Sequence, residues 1–131
     1  MNEVQSAWLA GLYEGEGCAG VYKRKEGGNR STFLISSSDL DVLQTAQKIT
    51  DMGTISKAGT PKAEHHKQMY QWQVYKPADL IAVIDAILPH LHSRRVGQLQ
   101  IVRNWCQDRI DNPRQGRRIA WQLEHGLSRP D

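Results

Sequence analysis

Apolar residues near the start of the chain recur at helical spacing, and a group of glycines follows them. Residues 4–14 contain no proline and carry Trp8, Leu9 and Leu12 as apolar anchors, a pattern that predicts a helix. Glycine is common where helices end, so the glycines beginning at Gly15 are expected to stop it. The first predicted element is therefore a helix that buries these three anchors.

The rest of the chain alternates between extended and helical patterns. The predicted elements are strands over 18–25 and 31–37, a helix capped at Ser38-Asp39 and ending at 52–53, strands over 53–57 and 70–76, a helix from Pro77 to Pro89, a helix over 94–109 and, after Asn112-Pro113, a basic tail with a short helix over 119–124. The order αββαββαα indicates an α+β fold, with an antiparallel sheet covered by helices on one face. Its other face is left open, which suggests that something covers it.

Composition and charge narrow the functional classes. The 131 residues carry a net charge of +3, which alone is weak support for nucleic-acid binding. The basic residues are clustered, however, and the first 22 residues contain none of them. The clusters are Lys23-Arg24-Lys25 with Arg30, then Arg94-Arg95, and then Arg114, Arg117 and Arg118.

Cysteine and histidine give no strong metal signal. Cys18 and Cys106 are far apart and are expected to be reduced thiols, and no signal-peptide or membrane-spanning pattern occurs. The expected setting is intracellular, cytoplasmic or organellar, and not secreted, with no membrane partner. The histidines at 65–66 and at 90 and 92 lack matching cysteines, so turn and loop histidines are a better interpretation than a zinc site.

Small residues follow one face of the first helix. Ala7, Gly11 and Gly15 are four apart, and Ala10 borders them. Glycine inside a helix costs about 1 kcal/mol relative to alanine, so this face is expected to approach another backbone closely. The spacing leaves two alternatives open, which are packing against the chain's own sheet and packing against a second copy of the helix.

Two carboxylates, Glu14 and Glu16, stand at the end of the same helix. A carboxylate there faces the negative end of the helix dipole, at a cost of about 0.3–1 kcal/mol. A bound cation would offset that cost, and carboxylate and carbonyl oxygens suit Mg²⁺. Two solvated surface acids are the simpler alternative for an arbitrary sequence.

The run Leu9-Ala10-Gly11-Leu12-Tyr13-Glu14-Gly15-Glu16-Gly17 closely resembles the signature motif of the LAGLIDADG homing endonucleases. It matches the apolar, small and acidic positions, with glutamate in both acidic ones. The predicted element order agrees over about residues 4–110. The resemblance implies a single-motif endonuclease domain over 1–112, followed by a basic C-terminal extension over 113–131.

The resemblance further implies a homodimer that cleaves both strands of a long, near-palindromic DNA site with Mg²⁺ or another divalent cation such as Mn²⁺. No small-molecule substrate is implied. Its dimer contacts are Ala7, Ala10, Gly11, Glu14 and Gly15, its metal ligands are Glu16 and the Gly15 carbonyl, and its catalytic residues are Glu16, Arg94 and Ser37. Family members often have a polar residue such as glutamine where this chain has Ser37. The expected biological role is intron or intein mobility.

The open face of the sheet is the expected DNA-binding saddle. Its candidate DNA contacts are Lys23, Lys25, Arg30, Thr32, Leu34, Gln71, Gln73 and Tyr75, with Arg95 beside them. A shift of one residue would exchange each set for its neighbours, and the basic run at 23–25 could instead be a solvated edge. Two other functions remain open: a non-cleaving RNA maturase or transcription regulator on the same fold, and a plain domain with an accidental motif.

Overall fold

The computed structural model describes residues 1–113, and its elements follow the predicted order. They are helix α1 (Glu3–Glu16), strands β1 (Gly17–Lys23) and β2 (Asn29–Ser37), helix α2 (Leu40–Thr50), strands β3 (Thr54–Lys57) and β4 (Tyr70–Gln73), helix α3 (Pro77–Ile87), a 3₁₀ turn (Leu88–His90) and helix α4 (Ser93–Asp111). The α+β prediction is confirmed. The basic residues at 114, 117 and 118 and the helix expected over 119–124 lie outside the described residues.

The ends of the first helix differ from the prediction. Asn2 and Gln5 form a reciprocal capping box at its start. At the other end α1 continues through Gly15 to Glu16, because the Gly17 N–H closes a last turn on the Tyr13 carbonyl. Gly15 is thus inside the helix and does not stop it, and β1 follows directly after Glu16.

The sheet has four antiparallel strands in the order β1-β2-β4-β3. Strand β2 pairs with β1 from Asn29 to Ile35 but with β4 only over Leu34–Ser37. Helices α1, α2 and α4 pack on one face of this sheet. The expectation of helices on one side and an open face on the other is confirmed.

An aromatic stack joins α1 to the centre of the sheet. The Phe33 ring is parallel to the Tyr13 ring with centroids 5.0 Å apart, and it meets Trp72 edge-on at 6.0 Å. All three side chains are buried. The Trp72 indole donates to the Met52 carbonyl at 2.9 Å, so its one polar atom is satisfied. Helix α1 is therefore anchored through β2 to β4.

Within residues 1–113, no helix combines the length and the apolar character required to cross a membrane.

Candidate metal site and nucleic-acid interface

One side of α1 faces solvent and is made of small and apolar residues. This outer face of α1 consists of Val4, Ala7, Trp8, Gly11 and Gly15, all exposed. A Cβ atom added at Gly11 or at Gly15 would meet nothing within 4 Å. Packing against the chain's own sheet therefore does not explain these glycines, and that alternative is excluded.

The opposite side of α1 corrects two expectations. Ala10 is only 1% exposed and lies in the core with Leu9 and Tyr13, so it cannot belong to a surface that meets a second molecule. Trp8 was expected to anchor the core but is 39% exposed, because it lies on the outer face near Gly11. The helix is apolar on both sides, and spacing alone cannot tell which side is buried.

The two acids at the end of α1 have different surroundings. Glu14 is half-buried, its Oε1 lies 3.1 Å from His92 Nδ1, and its Oε2 is buried without a partner. Glu16, by contrast, is exposed. Residues two apart on a helix point to nearly opposite sides, which places Glu14 beside α4 and leaves the Glu16 carboxylate open to solvent.

The Arg95 side chain is directed into its own chain. Its guanidinium lies over the Tyr13 ring at 5.0 Å, donates to the Glu14 carbonyl at 3.2 Å and donates to Gln98 Oε1 at 3.1 Å. The same Gln98 oxygen accepts the Tyr13 hydroxyl at 2.7 Å. Arg95 was expected to contact DNA, and this geometry corrects that expectation, since the group is already engaged with the end of α1. Sequence reasoning gave no signal for this cluster beyond the basic pair at 94–95.

The two other expected catalytic residues have contrasting positions. Arg94 is exposed in the first turn of α4 and free to face a ligand. Ser37 pairs with Tyr70, on the helix-covered face of the sheet, and its Oγ accepts the Asp39 N–H at 3.0 Å before α2. The structure shows this turn contact for Ser37, and its expected catalytic role stays a prediction. The residue of β2 that points to the open face at this end is Ser36.

Strand pairing defines which side chains lie on the uncovered side of the sheet, because paired residues share a face. This open face consists of Cys18, Gly20, Tyr22, Arg30, Thr32, Leu34, Ser36, Thr54, Ser56, Gln71 and Gln73. It is largely polar. Five of the expected DNA contacts belong to it: Arg30, Thr32, Leu34, Gln71 and Gln73.

The other expected DNA contacts lie elsewhere. Lys23 pairs with Asn29 and so faces the helix side, two residues along from Val21. Lys25 lies in the turn after β1, and Tyr75 is 58% exposed beyond the end of β4. Tyr22, paired with Arg30, occupies the open-face position expected for Lys23. The alternation in β1 was the sequence signal for this: the apolar Ala19 and Val21 face the helices, so Tyr22 faces the open side.

Oxygen donors at the end of α1 fit a hard divalent cation. Among residues 1–113 no group of three or more His, Cys, Asp or Glu side chains converges on a metal position. Mg²⁺, however, typically takes one or two carboxylates and completes its shell with water and phosphate oxygens. The exposed Glu16 carboxylate and the Gly15 carbonyl, in a turn whose last carbonyls lack intrahelical partners, suit that requirement as part of a site.

Comparison by sequence finds no relative, since no protein-family model and no curated protein matches the chain. Comparison by structure finds proteins with a similar fold. The homing endonuclease I-CvuI, in complex with the I-CreI target, is 21% identical with a TM-score of 0.66 over 84% of this chain and 70% of that one. The LAGLIDADG meganuclease I-AabMI, bound to uncleaved DNA, is 19% identical with a TM-score of 0.70, and the match spans 87% of this chain but 39% of that chain.

The archaeal intron-encoded homing endonuclease I-Vdi141I, complexed with DNA, is similar at 17% identity and a TM-score of 0.69, over 86% of this chain and 72% of that one. The three matches cover 84%, 87% and 86% of this chain. The motif expected from the sequence covers the end of α1 and the first residue of β1. Its glycines at 11 and 15 are exposed, and so is its second acid, Glu16. The chain has the fold of the LAGLIDADG homing endonucleases.

Proposed function

We propose that this protein is a sequence-specific DNA endonuclease that acts as a homodimer and uses a divalent cation, Mg²⁺ or Mn²⁺. The observation that carries the proposal is the outer face of α1. It is small, apolar, exposed and unused by the packing of its own chain, and its last residue, Gly15, adjoins the exposed Glu16.

A second copy of α1 is the partner that suits this face. Small residues at four-residue spacing allow two helices to approach closely, and a two-fold axis brings the same surface of each copy into contact. Such a dimer sets one Glu16 near the other at the ends of the crossed helices. Two like charges in that position repel each other, and a cation between them offsets the repulsion.

The residues around this position have separate tasks in phosphodiester hydrolysis. Glu16 and the Gly15 carbonyl would hold the cation, which when bound would neutralise charge on the phosphate and make a coordinated water more acidic. Arg94, exposed at the start of α4, offers its guanidinium to the negative charge that develops on the phosphate. Glu14, turned towards His92, maintains the end of the helix.

The open face of the sheet recognises the DNA sequence. A strand pair fits the major groove, where glutamine recognises adenine and arginine recognises guanine. Gln71, Gln73 and Arg30 present these groups on adjacent strands. With a two-fold axis the recognised site is near-palindromic. The solved neighbours support this use of the fold, since several of them hold DNA, and the I-CvuI structures were determined with Mg or Ca.

The test is the variant Glu16→Gln, with Glu3→Gln as the matched control. Both remove one carboxylate from an exposed position of the same helix, but Glu3 is in its first turn. A plasmid library with randomised inserts is incubated with Mg²⁺ or Mn²⁺, and DNA binding is measured separately in Ca²⁺. We expect Glu16→Gln to fold and to bind DNA, but to lose cleavage by about 10²-fold or more, which is the cost of removing one electrostatic stabiliser from a reacting centre. Glu3→Gln should cleave normally.

Retention of full cleavage by Glu16→Gln would overturn the metal-ligand assignment. A wild-type protein that binds DNA but cleaves nothing in either metal would instead favour the non-cleaving regulator or maturase. The exposed Glu16 carboxylate is the observation that favours the enzyme.

A further inference from the structure

The last turn of α1 has no basic side chain of its own. It holds two carboxylates and no basic residue, and its cap residue Gly17 is extended, so no left-handed glycine closes the helix. The carbonyls at a helix end are the negative pole of the dipole and lack intrahelical partners. Glycine at 15 adds conformational freedom. Without a further contact this turn would fray. The two oxygen donors that are proposed to hold the metal ion would then lose their fixed position.

A basic side chain from α4 reaches this turn instead. Arg95 Nη2 donates to the Glu14 carbonyl at 3.2 Å, and its Nη1 donates to Gln98 Oε1 at 3.1 Å. The guanidinium also covers the ring of Tyr13, one turn from the end of the helix. It thus contacts the main chain and a side chain of the last turn at once.

The second half of the cluster fixes the direction from which Arg95 approaches. The Tyr13 hydroxyl donates to Gln98 Oε1 at 2.7 Å, so this oxygen serves both α1 and Arg95. Burial raises the pKa of Tyr13 to about 12, so the hydroxyl keeps its proton and can donate near neutral pH.

We propose that Arg95 is a positioning residue for the metal site. By holding the Glu14 carbonyl from α4, it fixes the turn that presents the Gly15 carbonyl and the Glu16 carboxylate to the cation. This inference rests on the proposed function. Arg95 touches neither the DNA nor the cation in this assignment.

Stability of the fold does not by itself explain an arginine at this position. Its Nε is buried without a hydrogen-bond partner, and such an atom costs free energy that an apolar side chain would not. What an apolar side chain cannot provide is the bond to the Glu14 carbonyl.

The test compares Arg95→Met with Arg103→Met. Arg103 also lies on α4 and also forms an intrachain bridge, to Asp85 on α3 at 2.6 Å, but far along the helix from the end of α1. The full chain of each variant is titrated with Mn²⁺ in the plasmid-library cleavage assay, its DNA affinity is measured in Ca²⁺, and amide exchange is followed at Gly17, whose N–H closes the last turn.

For Arg95→Met we expect the Mn²⁺ concentration for half-maximal cleavage to rise by about 10–100-fold, the usual effect of losing a group that orients a metal ligand. We expect DNA affinity to stay within about twofold, and exchange at Gly17 to accelerate. Arg95→Lys should recover part of the loss, because its ammonium reaches one acceptor but lacks the second arm of the guanidinium. Arg103→Met should leave the Mn²⁺ requirement and the Gly17 exchange unchanged.

The outcomes separate the inference from the proposed function. A wild-type protein without metal-dependent cleavage overturns both. A wild-type protein that cleaves, with Arg95→Met matching Arg103→Met in Mn²⁺ requirement and in exchange, overturns the inference alone. If Arg95→Met fails to fold, the role is structural and the inference is likewise wrong, unless Gln98→Met, which removes the shared acceptor, folds and raises the Mn²⁺ requirement.

Discussion

Replacing Gly11 by alanine should stabilise one chain and destabilise the dimer, and the opposite signs make this a demanding prediction. Within the chain a Cβ at Gly11 meets no atom within 4 Å, so no clash opposes the gain in helix propensity. That gain is about 1 kcal/mol, which corresponds to a rise in Tm of about 4 °C.

Between two chains the same methyl group has the reverse effect. The proposed dimer places the outer faces of two α1 helices in close contact, and the two-fold axis introduces each new methyl twice. Overpacking of a close contact costs about 1–3 kcal/mol, and 1.4 kcal/mol is tenfold in an equilibrium constant. The dimer dissociation constant should therefore rise by about 10- to 100-fold, and Gly11→Leu should abolish the dimer.

Folding is measured by urea denaturation below the dissociation constant, and association by sedimentation equilibrium. Gly97→Ala is the matched control, since Gly97 lies within α4 and is also open on all sides. It should raise the free energy of unfolding by a similar amount and leave association unchanged. An increase in both folding stability and association for Gly11→Ala would refute the helix crossing, as would a wild-type protein that is monomeric at every concentration.

Two further predictions concern the fold. Gly53→Ala should lower the free energy of unfolding by at least about 1–3 kcal/mol, measured by urea denaturation, because Gly53 has a φ of +81° and a Cβ there would lie 2.5 Å from both the Gln73 carbonyl oxygen and Trp72 Nε1; an unchanged stability would contradict the observed turn. The Arg103 guanidinium holds the pKa of Asp85 below its ordinary value of 3.8. The contribution of this ion pair to the free energy of unfolding is therefore complete when the pH is above that ordinary value, and it is lost as the pH falls through the lower folded-state pKa. The difference in unfolding free energy between wild type and Asp85→Asn should accordingly shrink towards zero on acidification, and a difference that grew instead would contradict the ion pair.

The order of elements could be predicted because each one is marked locally. Pro77 stands in the first turn of α3, and the alternation of Tyr70, Trp72 and Val74 marks the side of β4 that packs on the core. Such signals depend on a few adjacent residues and survive in any tertiary setting. For the same reason they misplaced the end of α1, where Gly15 looks like a stop but the helix continues to Glu16, with the Gly17 N–H bonded to the Tyr13 carbonyl.

What could not be predicted depends on contacts between distant segments. The parity of β1 is set by its pairing with β2, which turned Tyr22 and not Lys23 to the open face. The inward direction of Arg95 depends on the Tyr13 ring and on Gln98, 85 residues from Tyr13. No window of neighbouring residues contains this information, so the basic pair at 94–95 looked equivalent in the sequence although one member is exposed and the other is engaged.

The exposed and engaged members of that pair match the two acids at the end of α1. Glu14 carries the carbonyl that Arg95 holds and the carboxylate that His92 approaches, so the chain itself supplies partners for its carbonyl and for one carboxylate oxygen. Glu16 has no such partner in the described chain, and its carboxylate is exposed. The uncompensated negative charge at this helix end is therefore the carboxylate of Glu16. This carboxylate adjoins the outer face of α1, where a second copy would bring an identical charge, and it is there that a divalent cation has the most to neutralise.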